Sequence, residues 1–133
     1  MNITYRNDKD VEVEDMIEVF RNSGIVRPIN QPERIQTMIK NADILLSAWL
    51  GNRMIGVARA LTDWSFCCYL SDLAVDKEFQ NSGVGRKLIT KVQEEIGKEV
   101  ALILLAAPSA MTYYPKVGFE KIENGFMIKR RIS

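Results

Sequence analysis

The amino-acid sequence contains no histidine among its 133 residues. Without an imidazole, the sequence excludes Ser-His-Asp catalysis, Cys-His catalysis and metal sites that contain histidine. Its only cysteines, Cys67 and Cys68, are adjacent. Neighbouring side chains on a strand point to opposite faces, so a disulfide between these two would be strained. We therefore expect two reduced thiols in a cytoplasmic protein, and no metal site.

Long apolar runs, a leader segment and an excess of one charge are also missing. The longest apolar runs, such as residues 100–107, are far too short to cross a bilayer. The first residues lack the basic stretch and apolar core of a signal peptide. The net charge is +1, with both signs scattered along the chain. These features predict neither a membrane partner nor a nucleic-acid partner.

The composition, 47% hydrophobic and 26% charged, is typical of a folded globular protein. The length suits a single domain over residues 1–133 with a buried core. Apolar residues spaced i, i+3, i+4, i+7 predict amphipathic helices over residues 13–20, 35–42 and 84–96. Glycines end the first and third of these helices, at Gly24 and Gly97.

Runs rich in β-branched, aromatic and aliphatic residues predict the strands. A polar junction at residues 51–53 predicts a hairpin between the third and second strands, and Asn124-Gly125 predicts a terminal hairpin with a type I′ turn. Ser109 could cap a short helix over residues 110–117. The predicted strands are residues 2–6, 44–50, 54–61, 66–75, 100–107, 119–122 and 126–132. The order β-α-α-β-β-β-α-β-α-β-β predicts a mixed α/β sheet, because consecutive hairpins force antiparallel pairing.

A polar loop, residues 76–82, joins the fourth strand to the third helix, and Gly83 and Gly85 stand where the helix begins. Glycine lets main-chain N–H groups approach an anion closely, and a helix amino terminus adds partial positive charge. The loop lacks the spacing of a Walker A motif. The sequence also lacks a dinucleotide-binding fingerprint, because Leu88 stands where that motif needs a third glycine. The pattern therefore predicts a phosphate site of another kind.

Two motifs carry a resemblance to a known family. Gln80-x-x-Gly83-x-Gly85 resembles the coenzyme A loop of the GNAT N-acetyltransferase superfamily, and Tyr113-Tyr114-Pro115-Lys116-Val117-Gly118-Phe119 is similar to a second signature of that family. The predicted element order also resembles the family's, so the likeness covers essentially the whole chain. Residues 57–75 are further similar to a branch of small GNAT proteins related to plant arylalkylamine-type acetyltransferases.

The resemblance implies acetyl-CoA as co-substrate. In the family, splayed strands present main-chain groups to the pantetheine arm, and the loop receives the pyrophosphate. Carried onto this chain, the pantetheine segment is Leu73, Ala74 and Val75. The pyrophosphate segment is Gln80, Asn81, Ser82, Gly83, Val84, Gly85 and Arg86.

The implied reaction is direct attack of a neutral amine on the thioester. Tyr114 matches the family's tyrosine acid, and a phenol remains protonated at neutral pH. Tyr69 stands where histone-type members of the family carry a glutamate base. The nearest carboxylate, Asp72, is therefore a candidate base that would act through water. The alternative is a polar structural role for Asp72 at the end of the strand. Pro115 and Ala107 also depart from the family pattern.

The leading hypothesis is an acetyl-CoA-dependent N-acetyltransferase acting on a primary amine of a small molecule or on an exposed protein amine. The alternatives are a non-catalytic acyl-CoA-binding sensor module and a generic α/β interaction domain. A homodimer is compatible with the sequence, because edge strands are prone to pair. No residue pattern names the acceptor.

Overall fold

The computed structural model describes residues 2–132, and the end residues Met1 and Ser133 lie outside this range. In this range the apolar stripes form helices and the β-branched runs form strands. The strands are β1 (Ile3–Asn7), β2 (Ile44–Leu50), β3 (Arg53–Thr62), β4 (Cys67–Val75) and β5 (Ala101–Ile103). The α-helices are α1 (Val13–Ser23), α2 (Pro32–Lys40) and α3 (Val84–Ile96), and short 3-10 helices cover Lys77–Phe79, Pro108–Ala110 and Tyr114–Val117.

The five strands form one mixed sheet in the spatial order β1-β2-β3-β4-β5. The first four strands pair antiparallel with their neighbours, whereas β5 runs parallel to β4. The long α3 crossover explains this change, because a parallel neighbour needs a connection that returns to the starting edge. The predicted mixed α/β fold class is confirmed.

Helices cover both faces of the sheet. The buried face of α3 packs on one side, where Leu88, Ile89 and Val92 join a cluster that includes Ile55 and Leu70. On the other side, α1 and α2 bury Phe20 and Ile35 in a second cluster with Val57 and Ala74. Fully burying side chains of this size stabilises a fold by about 1.5–3 kcal/mol each, so these two clusters fix how the helices sit on the strands.

A β-bulge at Ser71 changes which face of the sheet the following side chains of β4 point to. Arg59 pairs with Asp72, but the next residue of β3 pairs with Leu70, so β4 has one extra residue here. Leu70 faces the α3 cluster and Ala74 the α1 and α2 cluster, although an even spacing would place them on the same face. The bulge lies next to the last residue of β4 that pairs with β5, which is Tyr69.

The C-terminal part differs from the predicted element order. The strand predicted over residues 100–107 is only Ala101–Ile103, and the helix predicted over residues 110–117 is replaced by the two 3-10 helices there. Pro108 and Pro115 account for this, since proline lacks the N–H that an α-helix interior requires.

The predicted terminal hairpin is also wrong for the chain described here. Residues 119–132 contain no strand within the described range, and residues 120–132 are exposed throughout. A two-stranded hairpin is marginal in water unless another strand or a helix covers it. The Asn124-Gly125 turn signal therefore has no neighbouring element to make it stable.

Candidate functional site

The sheet opens between β4 and β5. The two strands pair only at Cys67, Cys68 and Tyr69, and beyond this point β4 continues through the bulge to Val75 while β5 ends at Ile103. The side of residues 70–75 that faces away from β3 has no strand neighbour in the described chain. The carbonyls of Ser71 and Val75 accept from the Arg27 and Gln80 side chains, and the main-chain groups there without such a partner could bind an extended ligand. We call this gap the ligand opening.

The amino terminus of α3 lies directly after the loop that follows β4. Gly83 caps the helix with φ of 88°, and no side chain accepts from the first turn. The first turns of α1 and α2 carry acidic residues, whereas that of α3 carries none. The free N–H groups and the positive end of the helix dipole therefore have no acidic partner on their own helix. An anion is the ligand that would supply one.

The loop before α3 is shaped by its own hydrogen bonds. The Gln80 amide donates to the Val75 carbonyl at 2.9 Å, and the Ser82 hydroxyl donates to the Phe79 carbonyl. Asn81 and Gly83 both have positive φ, of 69° and 88°. Left-handed residues alternating with others turn successive N–H groups to one side, which is the arrangement of an anion-binding nest. The predicted pyrophosphate residues are thus a turn over residues 80–83 followed by the first three residues of α3.

Not all of the predicted binding residues contact the same space with their side chains. Val84, the first residue of α3, is buried on the side of the helix that faces the sheet. Its Cγ1 lies 3.0 Å from the position that a Cβ on Gly56 would take. Leu73 and Val75 pack against the α3 cluster, and Ala74 is buried on the opposite face. These four residues can offer a ligand only their main chain.

Gly85 permits a close approach of Tyr113. A Cβ at this glycine would lie 2.7 Å from the Tyr113 hydroxyl oxygen. Arg86, the next residue, donates from Nη2 to the Lys116 carbonyl at 3.1 Å. These contacts hold the 3-10 helix Tyr114–Val117 against the start of α3. The two motifs noted in the sequence are therefore neighbours in space.

Tyr114 is half-buried beside these contacts. Its ring meets Tyr113 edge to face at 5.2 Å and Phe119 at 5.5 Å between centroids. Burial raises the pKa of Tyr114 above 10.0, the neighbouring Tyr113 adds to this, and the positive charge of Arg27 opposes it. Burial also raises the pKa of Tyr113, against the opposing charge of Arg86. Both phenols therefore keep their protons at neutral pH.

Asp72, the predicted base, is completely buried and binds two arginines. Arg27 Nε donates to one carboxylate oxygen at 2.5 Å, and Arg59 Nε donates to the other. Both arginines also bind Ser71, through its carbonyl at 2.8 Å and its hydroxyl at 2.9 Å. This network ties the loop between α1 and α2 to the bulge of β4. The arrangement suits the polar structural role that the sequence left open for Asp72.

The sequence reasoning missed the role of Arg59 and the contact between Tyr113 and Gly85. A charged residue in the middle of the apolar run of β3 was the available signal for Arg59, which is only 8% exposed. Such a residue needs a buried partner of opposite charge. No comparable signal existed for Tyr113, because its contact depends on how two distant segments meet.

Two properties of the described residues bear on the chemistry. Within residues 2–132, no helix combines the length and the apolar character needed to span a bilayer. The same residues hold no group of three or more cysteine or acidic side chains placed to bind a metal. The arrangement that remains is a helix amino terminus, free strand main chain and a protonated phenol around one gap. It can bind an elongated anion and donate a proton near it.

Comparisons with known proteins agree with this geometry. The family model described as an acetyltransferase (GNAT) domain matches residues 9–129. The N-acetyltransferase ycf52 of Pyropia yezoensis, whose function is uncharacterised, is 25% identical over 93% of this chain and 74% of its own length. The chloroplastic serotonin N-acetyltransferase 2 of Oryza sativa subsp. japonica is 28% identical over 86% of this chain and 59% of its own length.

A solved structure shows the same fold. The protein SA2161 of methicillin-resistant Staphylococcus aureus, described as a probable acetyltransferase of unknown function, superimposes with a TM-score of 0.81. The match covers 97% of this chain and all of the other, at 24% identity. At this identity the likeness supports the fold alone.

Proposed function

Because the chain belongs to the GNAT acetyltransferase family and is an acetyltransferase, we propose that it moves an acetyl group from acetyl-CoA to a primary amine. The acceptor is a small molecule or an exposed protein amine, and the amine attacks the thioester directly. The observation that carries this proposal is the uncapped amino terminus of α3 at the mouth of the ligand opening, with Tyr114 beside it.

The residues present fit the acyl carrier. Its diphosphate needs converging donors, and the start of α3 supplies N–H groups with no acidic side chain on the first turn to compete for them. A hydrogen bond to a charged group contributes about 1.5–3 kcal/mol. Three or four such bonds from residues 82–86 would supply much of the roughly 8 kcal/mol of a micromolar affinity. Main-chain groups of the segment Leu73, Ala74 and Val75 would hold the pantetheine arm.

Tyr114 is the proposed general acid. The thioester supplies the acetyl group, and its sulfur leaves as a thiolate that needs a proton. The raised pKa of Tyr114 keeps the phenol protonated across the neutral range, so the proton is available when the thiolate forms. Packing against Tyr113 and Phe119 fixes the ring, which limits the positions that the hydroxyl can take.

We assign Asp72 a positioning role in place of the base. Both of its carboxylate oxygens are occupied by arginines, and it is fully buried, so a water molecule has little access to it. It holds Arg27, whose charge reaches the Tyr114 phenol. An ammonium group near pKa 10.4 costs about 4.6 kcal/mol to deprotonate at neutral pH, so the amine must lose its proton to solvent or through a water relay before it attacks.

The acceptor class is an extension of this proposal. Similarity to the rice serotonin N-acetyltransferase supports an arylalkylamine acceptor, in agreement with the branch that residues 57–75 resemble. Half-exposed Trp64 lies in the turn after β3 and is a candidate to contact an aromatic acceptor. A reducing compartment such as the cytoplasm is also part of the proposal, because both cysteines are free thiols.

A thiol-release assay with acetyl-CoA and a panel of amines tests the proposal, with Tyr114→Phe as the key variant. We expect Tyr114→Phe to lower kcat by about 100-fold, within the usual contribution of a general acid, while calorimetry gives an acetyl-CoA affinity within about twofold of the parent. Tyr113→Phe is the matched control, since it removes a neighbouring hydroxyl from the same motif, and its kcat should change little.

Three results would contradict the proposal in different ways. Equal kcat for Tyr114→Phe and the parent across the pH range removes Tyr114 from the acid role. Tight acetyl-CoA binding with no thiol release for any amine indicates the sensor module. Failure to bind acetyl-CoA at all indicates an interaction domain.

A further inference from the structure

The bulge of β4 leaves one residue without a partner in the sheet. Ser71 pairs with no residue of β3, and β4 pairs with β5 only at residues 67–69. Side chains supply the missing partners. The Ser71 carbonyl accepts from Arg27 Nη2 at 2.8 Å, and the Ser71 hydroxyl accepts from Arg59 Nη2 at 2.9 Å. Polar groups withdrawn from water need such partners, so both arginines stabilise the bulge itself.

The same two arginines bind the residue that follows the bulge. Arg27 Nε and Arg59 Nε donate to opposite oxygens of the Asp72 carboxylate. Each guanidinium therefore bridges Ser71 and Asp72, one from the segment between α1 and α2 and the other from β3. Asp72 is fully buried, so solvent ions screen these pairs little. We call Arg27, Arg59 and Asp72 the bulge network.

The bulge determines which face of the sheet Asp72 points to. Leu70 packs toward α3, in an apolar cluster. Residues two positions apart share a face in a regular strand, so without the bulge Asp72 would point into the same apolar cluster. With the bulge it lies on the other face, directly paired with Arg59. A carboxylate buried without a cation is strongly unfavourable, so the two arginines favour the bulged pairing over the regular one.

Apolar packing distinguishes the two pairings less sharply than charge does. With the bulge, Leu73 and Val75 pack toward α3, and Ala74 packs toward α1 and α2. Regular pairing would exchange these faces, and aliphatic side chains would still lie beneath a helix on both sides. Only the bulged pairing provides Asp72 with cations.

We propose that Arg27, Arg59 and Asp72 are positioning residues that impose the bulge and thereby hold the ligand opening in shape. A shift of one residue would exchange the main-chain groups of residues 73–75 that face β3 with those that face the opening. This inference deepens the proposed function, because residues 73–75 are the segment proposed for the pantetheine arm. The strand pairing itself can be measured without any ligand.

Replacing the network by apolar side chains tests the proposal on the free protein. The variant Arg27→Met/Arg59→Met/Asp72→Leu removes all three charges at once, and such replacements often leave a fold as stable as before. In the parent, NMR should show cross-strand NOEs between main-chain protons of residues 58 and 73, the pair that the bulge produces. In the variant we expect them between residues 58 and 72, which is the regular pairing. A folded variant that keeps only the 58–73 contacts would overturn the proposal.

Arg59→Met and Arg59→Lys form a matched pair of single variants. The two new side chains are similar in length, but only lysine keeps the charge that holds Asp72 on its face of the sheet. Arg59→Lys should therefore keep the 58–73 contacts alone, whereas Arg59→Met should show both sets because Arg27 is the one remaining cation. If circular dichroism shows that the triple variant is unfolded, this pair is decisive. Identical contacts in the two single variants would then reject the bulge network.

Calorimetry with acetyl-CoA connects the network to the ligand opening. We expect the triple variant to bind at least about tenfold more weakly than the parent, and Arg59→Lys to bind within about threefold of it. Arg21→Met is the control, because Arg21 pairs with Glu18 on the exposed side of α1. It should bind like the parent. Regular pairing with parental affinity would show that the bulge does not shape the opening. A parent that fails to bind acetyl-CoA would instead contradict the proposed function, and the NOEs would still test the network.

Discussion

The ligand opening and a groove lined by Ile96, Val100, Leu102, Val117 and Phe119, which we call the β5 groove, lie on opposite sides of the short strand β5 and differ in chemistry. The ligand opening presents main-chain groups, a positive helix end and two phenols. The β5 groove presents aliphatic and aromatic side chains. The first suits a small, elongated and charged molecule, while the second is a mainly apolar surface. One strand thus separates two surfaces of different chemistry.

The difference has a geometric origin. Strand β4 leaves β5 because of the bulge at Ser71, so the ligand opening is formed by strands that diverge. The β5 groove exists because the sheet simply ends at β5. Diverging strands expose polar main chain inside a protein, whereas an edge exposes both main chain and apolar faces to solvent. Perturbations of one site should therefore leave the other intact.

The largest expected effect separates the two sites through charge. In Gly83→Asp, a carboxylate enters the anion nest at the start of α3, where a Cβ meets nothing within 4 Å. Loss of about two charge-assisted hydrogen bonds costs about 3 kcal/mol or more, so calorimetry should show acetyl-CoA affinity reduced at least about 100-fold. Sedimentation should remain that of the parent.

Gly83→Asn is the matched control for this variant. Asparagine and aspartate tolerate the left-handed conformation similarly and have nearly the same size, so they share the strain at φ of 88°. The neutral amide should therefore retain most of the affinity that aspartate loses. Equal losses for the two variants would show that backbone strain, and not an anion site, explains the result.

The two sites also differ in how far the sequence predicted them. The antiparallel part was predicted closely: β2 has the expected bounds, residues 44–50, and α3 ends at Gly97 as its apolar spacing indicated. Local periodicity and hairpin turns determine these elements. The turn before α3 was likewise indicated by the sequence, because the left-handed backbone angle at Gly83 favours glycine.

The features that the sequence did not predict involve contacts between distant parts of the chain. The bulge at Ser71 carries no glycine or proline to mark it, and the pairing of Arg27 and Arg59 on Asp72 depends on three elements meeting. The strand signals of residues 119–132 predicted a hairpin, because propensity reports what a segment can form and says nothing of whether a neighbouring element covers it.

A smaller effect is expected at the contact that joins the two motifs. In Gly85→Ala, the added Cβ would lie 2.7 Å from the Tyr113 hydroxyl, so this ring must move and disturb Tyr114 beside it. We expect kcat to fall by about tenfold. A rise of about 1.4 kcal/mol in the activation free energy, caused by the misplaced Tyr114, is enough for that change. Stability should change by less than about 1 kcal/mol, since alanine favours the helix.

The double variant Gly85→Ala/Tyr113→Phe tests the cause of this effect. Removing the hydroxyl relieves the overlap, so kcat should recover toward that of Tyr113→Phe alone. A double-mutant cycle without coupling would mean that Gly85 acts in some other way than by admitting Tyr113.

The smallest expected effect is the contribution of Tyr114, at the ligand opening, to the dependence of stability on alkaline pH. Burial raises the pKa of Tyr114 in the folded state above its unfolded value of 10.0. The folded state therefore binds the Tyr114 proton more tightly than the unfolded state does. The stability that this proton contributes is fully present below pH 10.0 and is lost as the pH rises through the pKa of the folded state. Urea unfolding of the parent at rising alkaline pH should show this decline, and Tyr114→Phe should show less of it. An identical decline in both would mean that the Tyr114 phenol is as solvated as in the unfolded chain, and the packing that fixes the proposed acid would have to be reconsidered.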